Sequence, residues 1–292
     1  MDSRYVVWFV ACVVATAGIR APRASAQAGV SPATPVAHTY REVEGTTLTL
    51  YVFTPPGPPP NGRAPAVLLF HGGGWSVGSP EWTFTSARRY ADHGLVAVSV
   101  QYRLSNDTVT PIDALTDACS AFQWVRAQAL KLGVDPQRIA ASGVSAGGQL
   151  AAGAATIGCG NSEGAYGNGG PDALVLWSPA LDVSADGHFR RLLHGRAPVE
   201  AYSPVEHVRP RMPPVHIVHG DRDTLTPLGG AQRFCQRAKA GGSPCELVVY
   251  PGVGHLLTRN LANQESDFDP DPVARDDGNA RQLAFLKSLW LR

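Results

Sequence analysis

Ser145 is the residue whose surroundings most suggest a reactive side chain. It lies in the stretch GVSAGG (143–148), between the apolar run RIAASG and the small-residue segment AGGQLAAGAAT. A serine on a sharp strand-to-helix turn can act as a nucleophile, and such a turn needs residues without bulk two before and two after the serine. Gly143 and Gly147 meet this requirement. Because glycine occupies 31 of 292 positions, an ordinary glycine-rich connection is the alternative interpretation.

A second candidate is the stretch HGGGWSVG (71–78), which directly follows the apolar run AVLLF. Three consecutive glycines allow the backbone to approach a ligand closely. Their N–H groups, with that of Ala146, can form an oxyanion hole that stabilises a tetrahedral intermediate. A phosphate-binding loop is excluded, because neither G-x-x-x-x-G-K-[ST] nor a helix-opening G-x-G-x-x-G is present. We expect His71 to fix this loop rather than to act as a base.

A candidate acid and a candidate base follow later in the chain. HGDRDTLTP (219–227) places Asp221 and Asp223 just after an apolar run, at a strand end where ligands gather in open α/β sheets. Either carboxylate could orient a histidine, and the ending D-x-L-x-P favours Asp223. His255, in YPGVGHLL (250–257), could take a serine proton and return it to a leaving group. The three residues together predict nucleophilic acyl transfer.

The elements that must position these residues show an alternating pattern. Short apolar runs separated by helix-like segments indicate a parallel sheet with helices on both faces, so the predicted fold class is α/β. TYREV and TLTLYVF alternate in polarity around Glu44-Gly45 and predict an antiparallel hairpin. The predicted parallel strands are 66–70, 95–100, 139–143, 173–178, 214–220 and 245–252, and the predicted helices are 80–93, 111–132, 146–157, 228–240 and 277–291.

Two stretches interrupt this alternation. Residues 158–172 are rich in glycine and predict a long loop. Residues 182–214 are irregular and hold at most a short helix. Long loops in a compact fold are usually functional, so 182–214 is a candidate lid.

The order Ser145, Asp223, His255 is that of the α/β-hydrolases. Together with HGGGW, VSVQYRLS (98–105) and GVGHL, it makes residues 40–291 resemble the esterase branch of that superfamily, which includes hormone-sensitive-lipase-like enzymes and secreted carbohydrate esterases. The resemblance implies the α/β-hydrolase fold, a mostly parallel sheet with helices on both faces and a small irregular lid region. It further implies Ser145 as nucleophile, Asp223 as orienting acid and His255 as base. The implied oxyanion donors are the backbone N–H groups of Gly73, Gly74 and Ala146.

The resemblance also narrows the expected function. Lipase-like members usually continue YRLAPE where this chain has YRLSND, and residues 27–65 are too short and proline-rich for their extended helical cap. The chain is therefore more similar to the smaller secreted esterases, which implies a serine carboxylesterase acting on short-chain or carbohydrate-linked (acetyl or feruloyl) esters. A prolyl-oligopeptidase-like peptidase is one alternative, although the chain has no room for a propeller domain. A non-catalytic binding protein on the same fold is another, although all three triad members are present.

Trp75 directly follows the glycines of the second motif and is a candidate substrate-binding residue. Core packing is the competing interpretation. No clustered His or Cys spacing suggests a metal, so neither a metal nor another cofactor is expected. The net charge of +1 and the absence of basic runs give no case for nucleic acid or an anionic membrane as partner. The expected partner is a small-molecule or carbohydrate ester, and the oligomeric state stays open.

The first 26 residues have the layout of a secretory signal peptide: Arg4, an apolar stretch from Tyr5 to Ile19, and an A-x-A site at 24–26. We expect 27–39 to be a flexible lead, 40–292 to form a single catalytic domain, and the protein to be secreted or periplasmic without stable membrane insertion. An even number of cysteines in an exported chain suggests disulfides, and four cysteines allow three pairings. The pairing favoured here is 119–159 with 235–245, and buried free thiols are the alternative.

Overall fold

Eight strands form one sheet in the part of the chain that the computed structural model describes, residues 34–59, 62–160 and 169–291. They are β1 (Val36–Val43), β2 (Thr46–Phe53), β3 (Ala64–Phe70), β4 (Val96–Val100), β5 (Val134–Val144), β6 (Ala173–Trp177), β7 (Val215–Gly220) and β8 (Cys245–Tyr250). Their order across the sheet is β1-β2-β4-β3-β5-β6-β7-β8. The strands from β3 to β8 run parallel, and β2 lies antiparallel to β4.

The N-terminal hairpin is the antiparallel part of the sheet. β1 pairs with β2 across a turn in which Glu44 and Gly45 both have positive φ, +50° and +76°. Two residues of positive φ match the right-handed twist of the flanking strands, so the predicted hairpin is confirmed. The strand starts earlier than the expected domain boundary at residue 40, because Val36 already pairs with Val52. Residues 36–39 are therefore sheet and not flexible lead, and the predicted signal peptide lies outside the described residues.

Seven α-helices accompany the sheet in these residues. They are α1 (Phe84–Asp92), α2 (Pro111–Ala127), α3 (Ala129–Leu132), α4 (Ala146–Thr156), α5 (Gly187–Leu192), α6 (Leu228–Ala240) and α7 (Pro272–Trp290). The single helix predicted over 111–132 is divided at Gln128, whose backbone is not helical. The last helix begins five residues before its predicted start at 277, because Pro272 occupies its first turn and the Asp271 carboxylate accepts a hydrogen bond from Ala274 N at 2.9 Å.

The core lies on both faces of the sheet. Along β3, Leu68 and Phe70 pack into one apolar cluster and Val67 and Leu69 into the other, and all four are buried. Successive side chains of a strand point to opposite faces, so a continuous apolar run needs cover on both sides. This arrangement confirms the predicted α/β class. The described residues belong to one compact unit.

Two disulfides connect elements around the sheet, and they confirm the favoured pairing. Cys119 in α2 is bonded to Cys159, with 5.1 Å between the Cα atoms. Cys235 in α6 is bonded to Cys245 at the start of β8, with 5.4 Å between the Cα atoms. The second bridge joins α6 directly to the strand that precedes His255.

His216 in β7 is a buried histidine outside the candidate triad. Its side chain is 1% exposed, and neither ring nitrogen has a hydrogen-bond partner among the described residues. Burial lowers the pKa of His216, although the Glu246 carboxylate, 3.8 Å from Nε2, acts in the opposite direction. The folded protein therefore holds this ring neutral at pH values where an exposed histidine binds a proton.

We expect His216→Phe to reduce the loss of stability in acid. Below a pH of about 6.5, the unperturbed histidine pKa, residue 216 binds a proton in the unfolded chain but stays neutral in the folded protein. The free energy of unfolding therefore decreases as the pH is lowered. Each unit by which folding lowers the pKa of His216 corresponds to about 1.4 kcal/mol of stability lost at low pH. A phenyl ring avoids this cost, and Phe285 already lies 5.5 Å away, ring centre to ring centre. Urea unfolding at pH 7.5 and 5.0 checks the result. An equal fall in the free energy of unfolding between pH 7.5 and 5.0 in His216→Phe and the wild type would contradict the prediction.

Candidate active site

Ser145 lies at the junction of β5 and α4 in a strained backbone conformation. Its φ and ψ are +52° and −116°, a combination that non-glycine residues rarely adopt. Its N–H donates to Trp177 O at 3.0 Å, which fixes the turn against β6. A Cβ atom at Gly143 would lie 2.7 Å from Gly148 Cα, and one at Gly147 would lie 2.6 Å from the Phe70 carbonyl carbon. The two glycines are thus needed for the turn, as the motif predicts.

His255 and Asp223 form a continuous hydrogen-bonded chain with Ser145. His255 Nε2 lies 3.0 Å from Ser145 Oγ, and His255 Nδ1 lies 2.9 Å from Asp223 Oδ2. Asp223 follows β7 and His255 follows β8, so the carboxyl ends of neighbouring parallel strands bring the residues together. Both side chains are buried. The three residues predicted from the sequence are therefore adjacent, in the geometry that a serine, a base and its orienting acid need.

The surroundings of Asp223 keep its carboxylate charged. Oδ1 accepts hydrogen bonds from the N–H groups of Leu225 and Thr226 at 3.0 and 2.8 Å, and Oδ2 accepts one from Thr226 Oγ1 at 2.9 Å. Burial acts to raise the pKa of Asp223, but the hydrogen bond and charge of His255, the charge of His219 and the Thr226 N–H together outweigh it, so the pKa is lowered. An ionised carboxylate accepts the Nδ1–H of His255. This leaves Nε2 free to accept the proton of Ser145.

The glycine loop passes directly beside Ser145. A Cβ atom at Gly72 would lie 3.3 Å from Ser145 Cβ. Gly73 and Gly74 have φ of +108° and +55°, where a side chain would be strained. Ala146 is the first residue of α4, so its N–H has no partner within the helix. Gly73 and Gly74 border the same cavity as Ser145, and Ala146 directly follows it, so their role as oxyanion donors stays a prediction.

His71 holds this loop in place. Its Nδ1 lies 2.6 Å from Gly72 O, and Tyr102 donates its hydroxyl proton to His71 O at 2.9 Å. The rings of His71 and Tyr102 are stacked, 4.3 Å apart. Burial lowers the pKa of His71, which favours the neutral ring. His71 therefore has the loop-fixing place that the sequence predicts.

A cavity of about 1000 Å³ opens above Ser145. Trp75 borders it but is 3% exposed, donates Nε1–H to Gln149 Oε1 at 3.0 Å and packs edge-on against Phe189. Trp75 thus has the packing role that the sequence left open, and its contact with substrate stays a prediction. Trp82 borders the same cavity and is largely exposed.

The candidate lid supplies one wall of this cavity. Within 182–214 the structure has α5 and two short 3₁₀ turns, Val199–Tyr202 and Pro204–His207. His188 and Arg191 of α5 border the cavity, and His188 Nε2 lies 3.1 Å from Gly74 O. The segment therefore contacts the predicted oxyanion loop directly.

Three residues that the sequence did not single out contact the triad loops. Ser178 Oγ accepts a hydrogen bond from Leu256 N at 3.1 Å, and Ser178 O lies 3.0 Å from Thr226 Oγ1, which shares its single proton between this carbonyl and Asp223 Oδ2. Gln264 contacts the loops of both Asp223 and His255. Thr226 could have been found, because a threonine three residues after an aspartate commonly closes a local turn on its carboxylate. Ser178 and Gln264 carry no such local signal.

Residues 34–59, 62–160 and 169–291 contain neither a candidate metal site nor a candidate membrane-spanning helix. No group of three or more His, Cys, Asp or Glu side chains there could hold a metal ion. None of the helices in these ranges combines the length and the apolar character needed to cross a membrane.

Comparison with known families gives two overlapping matches. The family described as "alpha/beta hydrolase fold" matches residues 67–196, which include the glycine loop and Ser145. The prolyl oligopeptidase family matches residues 175–269, which include Asp223 and His255.

Several individual relatives and solved structures are esterases. Esterase LipI of Mycobacterium tuberculosis is 30% identical over 224 residues, 67% of this chain and 66% of LipI. Ethyl acetate hydrolase of Pseudomonas putida is 39% identical over 109 residues, 37% of this chain and 34% of that enzyme, so the chain spans only part of these relatives. The esterase Est2 of Thermogutta terrifontis superposes with a TM-score of 0.76 at 32% identity, covering 88% of this chain and 92% of Est2. Est2 has also been solved with propionate and with butyrate bound.

Proposed function

This chain belongs to the esterase branch of the α/β-hydrolase superfamily, and on that premise we propose that it hydrolyses carboxylic esters through an acyl-enzyme. One observation carries the proposal: Ser145 Oγ, His255 and Asp223 are linked by hydrogen bonds of 3.0 and 2.9 Å beside a glycine loop. Residues 40–292, with the preceding strand residues from Val36, are proposed as the single catalytic domain.

Acylation begins when Ser145 Oγ attacks the ester carbonyl carbon. The serine proton moves to His255 Nε2, and the carbonyl electron pair moves onto the oxygen, which becomes an oxyanion. The N–H groups of Gly73, Gly74 and Ala146 are proposed to stabilise that charge, aided by the N-terminus of α4. When the intermediate collapses, the carbon–oxygen bond to the alcohol breaks. The departing oxygen takes the proton from His255.

Deacylation repeats these steps with water. His255 Nε2 accepts a proton from water, whose oxygen attacks the acyl carbon, and the same N–H groups receive the second oxyanion. The bond to Ser145 Oγ then breaks, and His255 returns the proton to the serine. The ionised Asp223 stabilises the imidazolium that forms in each half-reaction.

The proposed substrates carry short acyl groups. Two similar proteins support this, since one is an ethyl acetate hydrolase and Est2 has been solved with propionate and with butyrate bound. The cavity of about 1000 Å³ is far larger than an acetyl group, so it leaves room for a bulky alcohol part. Carbohydrate-linked acetyl and feruloyl esters belong to this proposal as the larger substrates.

Secretion is also proposed. The signal-peptide layout of residues 1–26 supports it, and so do the two disulfides, because disulfides persist in oxidising compartments. N-terminal sequencing of the exported protein should begin at Gln27.

A peptidase is the second candidate, favoured by the match of residues 175–269 to the prolyl oligopeptidase family. A substrate panel distinguishes the two. We expect hydrolysis of p-nitrophenyl acetate and butyrate in preference to octanoate, release of acetate from acetylated xylan, and no cleavage of a proline-containing peptide. Peptide cleavage without ester cleavage would reverse the choice.

Phe268 is expected to influence the choice of alcohol. It borders the cavity with 41% of its surface exposed, and its ring centre lies 6.4 Å from that of His255. Because the departing oxygen must reach His255 Nε2, the alcohol part lies near Phe268. Phe268→Ala should therefore lower kcat/KM for 1-naphthyl acetate relative to ethyl acetate about fivefold, the factor that ~1 kcal/mol of aromatic contact supplies.

Leu261 provides the matched control for Phe268. It is similarly exposed, at 44%, lies in the same loop and is not among the described residues that border the cavity. Leu261→Ala should leave the naphthyl-to-ethyl ratio unchanged. An equal ratio in both variants and the wild type would show that Phe268 does not contact the alcohol.

A further inference from the structure

Gln264 is the one buried residue in the loop from 259 to 269, which separates His255 from α7. The loop is closed at its base by a bridge between Thr258 and Pro270, and beside it Arg259 donates two hydrogen bonds to Asp269 at 3.0 and 2.8 Å. The side chain of Gln264 is only 5% exposed. A buried amide in an otherwise exposed loop needs partners in the interior.

The partners of Gln264 lie on the two loops that carry the acid and the base. Oε1 accepts hydrogen bonds from His255 N at 2.8 Å and from Thr224 N at 3.2 Å. Nε2 donates to Arg222 O at 2.9 Å. Arg222 and Thr224 are the two neighbours of Asp223. One amide therefore bonds to the backbone of the base and to the backbone on both sides of the acid.

This arrangement requires an amide of this length. Two N–H donors face one terminal atom and a carbonyl faces the other, so the side chain must both accept and donate. A carboxylate lacks the donor, methionine lacks both functions, and asparagine is one methylene shorter. The backbone makes room for the contact, since a Cβ atom at Gly254 would lie 2.8 Å from Gln264 Nε2. Gly254 thus allows the amide to approach the residue before His255.

We infer that Gln264 is a positioning residue, which holds the His255 and Asp223 loops at the spacing that proton transfer requires. The inference rests on the proposed ester hydrolysis. The His255 Nδ1–Asp223 Oδ2 hydrogen bond connects the two side chains, whereas Gln264 connects the two backbones. With the backbones linked, His255 Nε2 stays within reach of Ser145 Oγ as the ring gains and loses its proton.

Ser178 provides a second connection between the His255 loop and the Asp223 loop, so their spacing does not depend on Gln264 alone. It bonds to Leu256 N and to Thr226 Oγ1, so it also connects the two loops. Loss of the Gln264 amide should therefore loosen the triad without dismantling it. A misplacement of about 1 Å at a reacting group costs up to roughly a hundredfold in rate, so a loss of about tenfold to a hundredfold in kcat is expected.

The test compares Gln264→Met and Gln264→Glu with Asn260→Ala in the full chain. Methionine keeps the length and removes all three hydrogen bonds, whereas glutamate keeps the acceptor and loses the donor. We expect kcat on p-nitrophenyl acetate to fall about tenfold to a hundredfold in Gln264→Met and less in Gln264→Glu, with KM nearly unchanged. Asn260→Ala removes hydrogen bonds to Asp267 within the same loop, at 3.2 and 2.9 Å, and should keep the wild-type kcat.

A second readout needs no substrate. The Nδ1 proton of His255, bonded to Asp223, should give a downfield proton NMR signal that broadens in Gln264→Met and persists in Asn260→Ala. Wild-type kcat in Gln264→Met, an equal loss in Asn260→Ala, or an unaltered NMR signal in Gln264→Met would each overturn the inference. If Gln264→Met does not fold, Gln264→Glu carries both measurements. A wild type that cleaves no ester would refute the proposed function, whereas the NMR comparison would still decide the role of Gln264.

Discussion

Ser145→Ala is expected to lower kcat for p-nitrophenyl acetate by a factor on the order of 10⁶, the loss typical of removing a serine nucleophile. Without Oγ no acyl-enzyme can form, and His255 has no proton to accept from residue 145. Any remaining rate reflects direct attack by water near the oxyanion loop. The fold should persist, because alanine keeps the Cβ atom and the backbone bond from residue 145 to Trp177 O.

The measurement needs three safeguards at so low a rate. Steady-state hydrolysis should be measured on protein purified without contact with wild type, and mass spectrometry should detect the acetyl adduct only in wild type. Thermal unfolding shows whether the variant is folded. Ester hydrolysis by Ser145→Ala at a rate near wild type would refute the acyl-enzyme mechanism.

Asp223→Asn is expected to lower kcat by a factor on the order of 10⁴, because a neutral amide neither selects the Nδ1–H form of His255 nor stabilises the imidazolium. An asparagine fits the same space and can still accept from Leu225 N and Thr226 N through Oδ1, so the loop should keep its shape. The loss should therefore appear in kcat with little change in KM.

Asp221 supplies a matched control two residues away. It lies in the same HGDRD segment, but it is exposed and its Oδ1 accepts a hydrogen bond from Gly252 N at 2.7 Å. Asp221→Asn should retain wild-type kcat. Equal losses in the two variants would show that the segment responds to any change of charge, and would remove the case for Asp223 as the orienting acid.

Features that depend on short stretches of sequence were predictable. Continuous apolar runs located the parallel strands from β3 to β8, and Glu44-Gly45 located the hairpin turn. The small residues around Ser145 predicted a turn that the structure has at φ +52°. The meeting of Ser145, Asp223 and His255 followed from chain order, because parallel strands collect the residues after their carboxyl ends on one edge.

Features that depend on the path of a loop were not predictable. Gln264 lies nine residues after His255, in a loop closed at its base by the Thr258–Pro270 bridge, and nothing in its local sequence indicates that its amide is buried. Ser178 follows a core strand, and its positive φ of +41° directs it toward Leu256. Trp75 was ambiguous in sequence: it is packed against Phe189 at the border of the cavity, and its contact with substrate stays a prediction.

The spread of the site along the chain has a consequence for biosynthesis. The glycine loop and Ser145 precede β6 in the chain, whereas Asp223 follows only after β7, and His255 and Gln264 follow only after β8. A nascent chain that already contains the whole Ser145 turn therefore lacks the proposed base, His255. By the proposed mechanism, reactivity toward esters can arise only after β7 and β8 have joined the sheet.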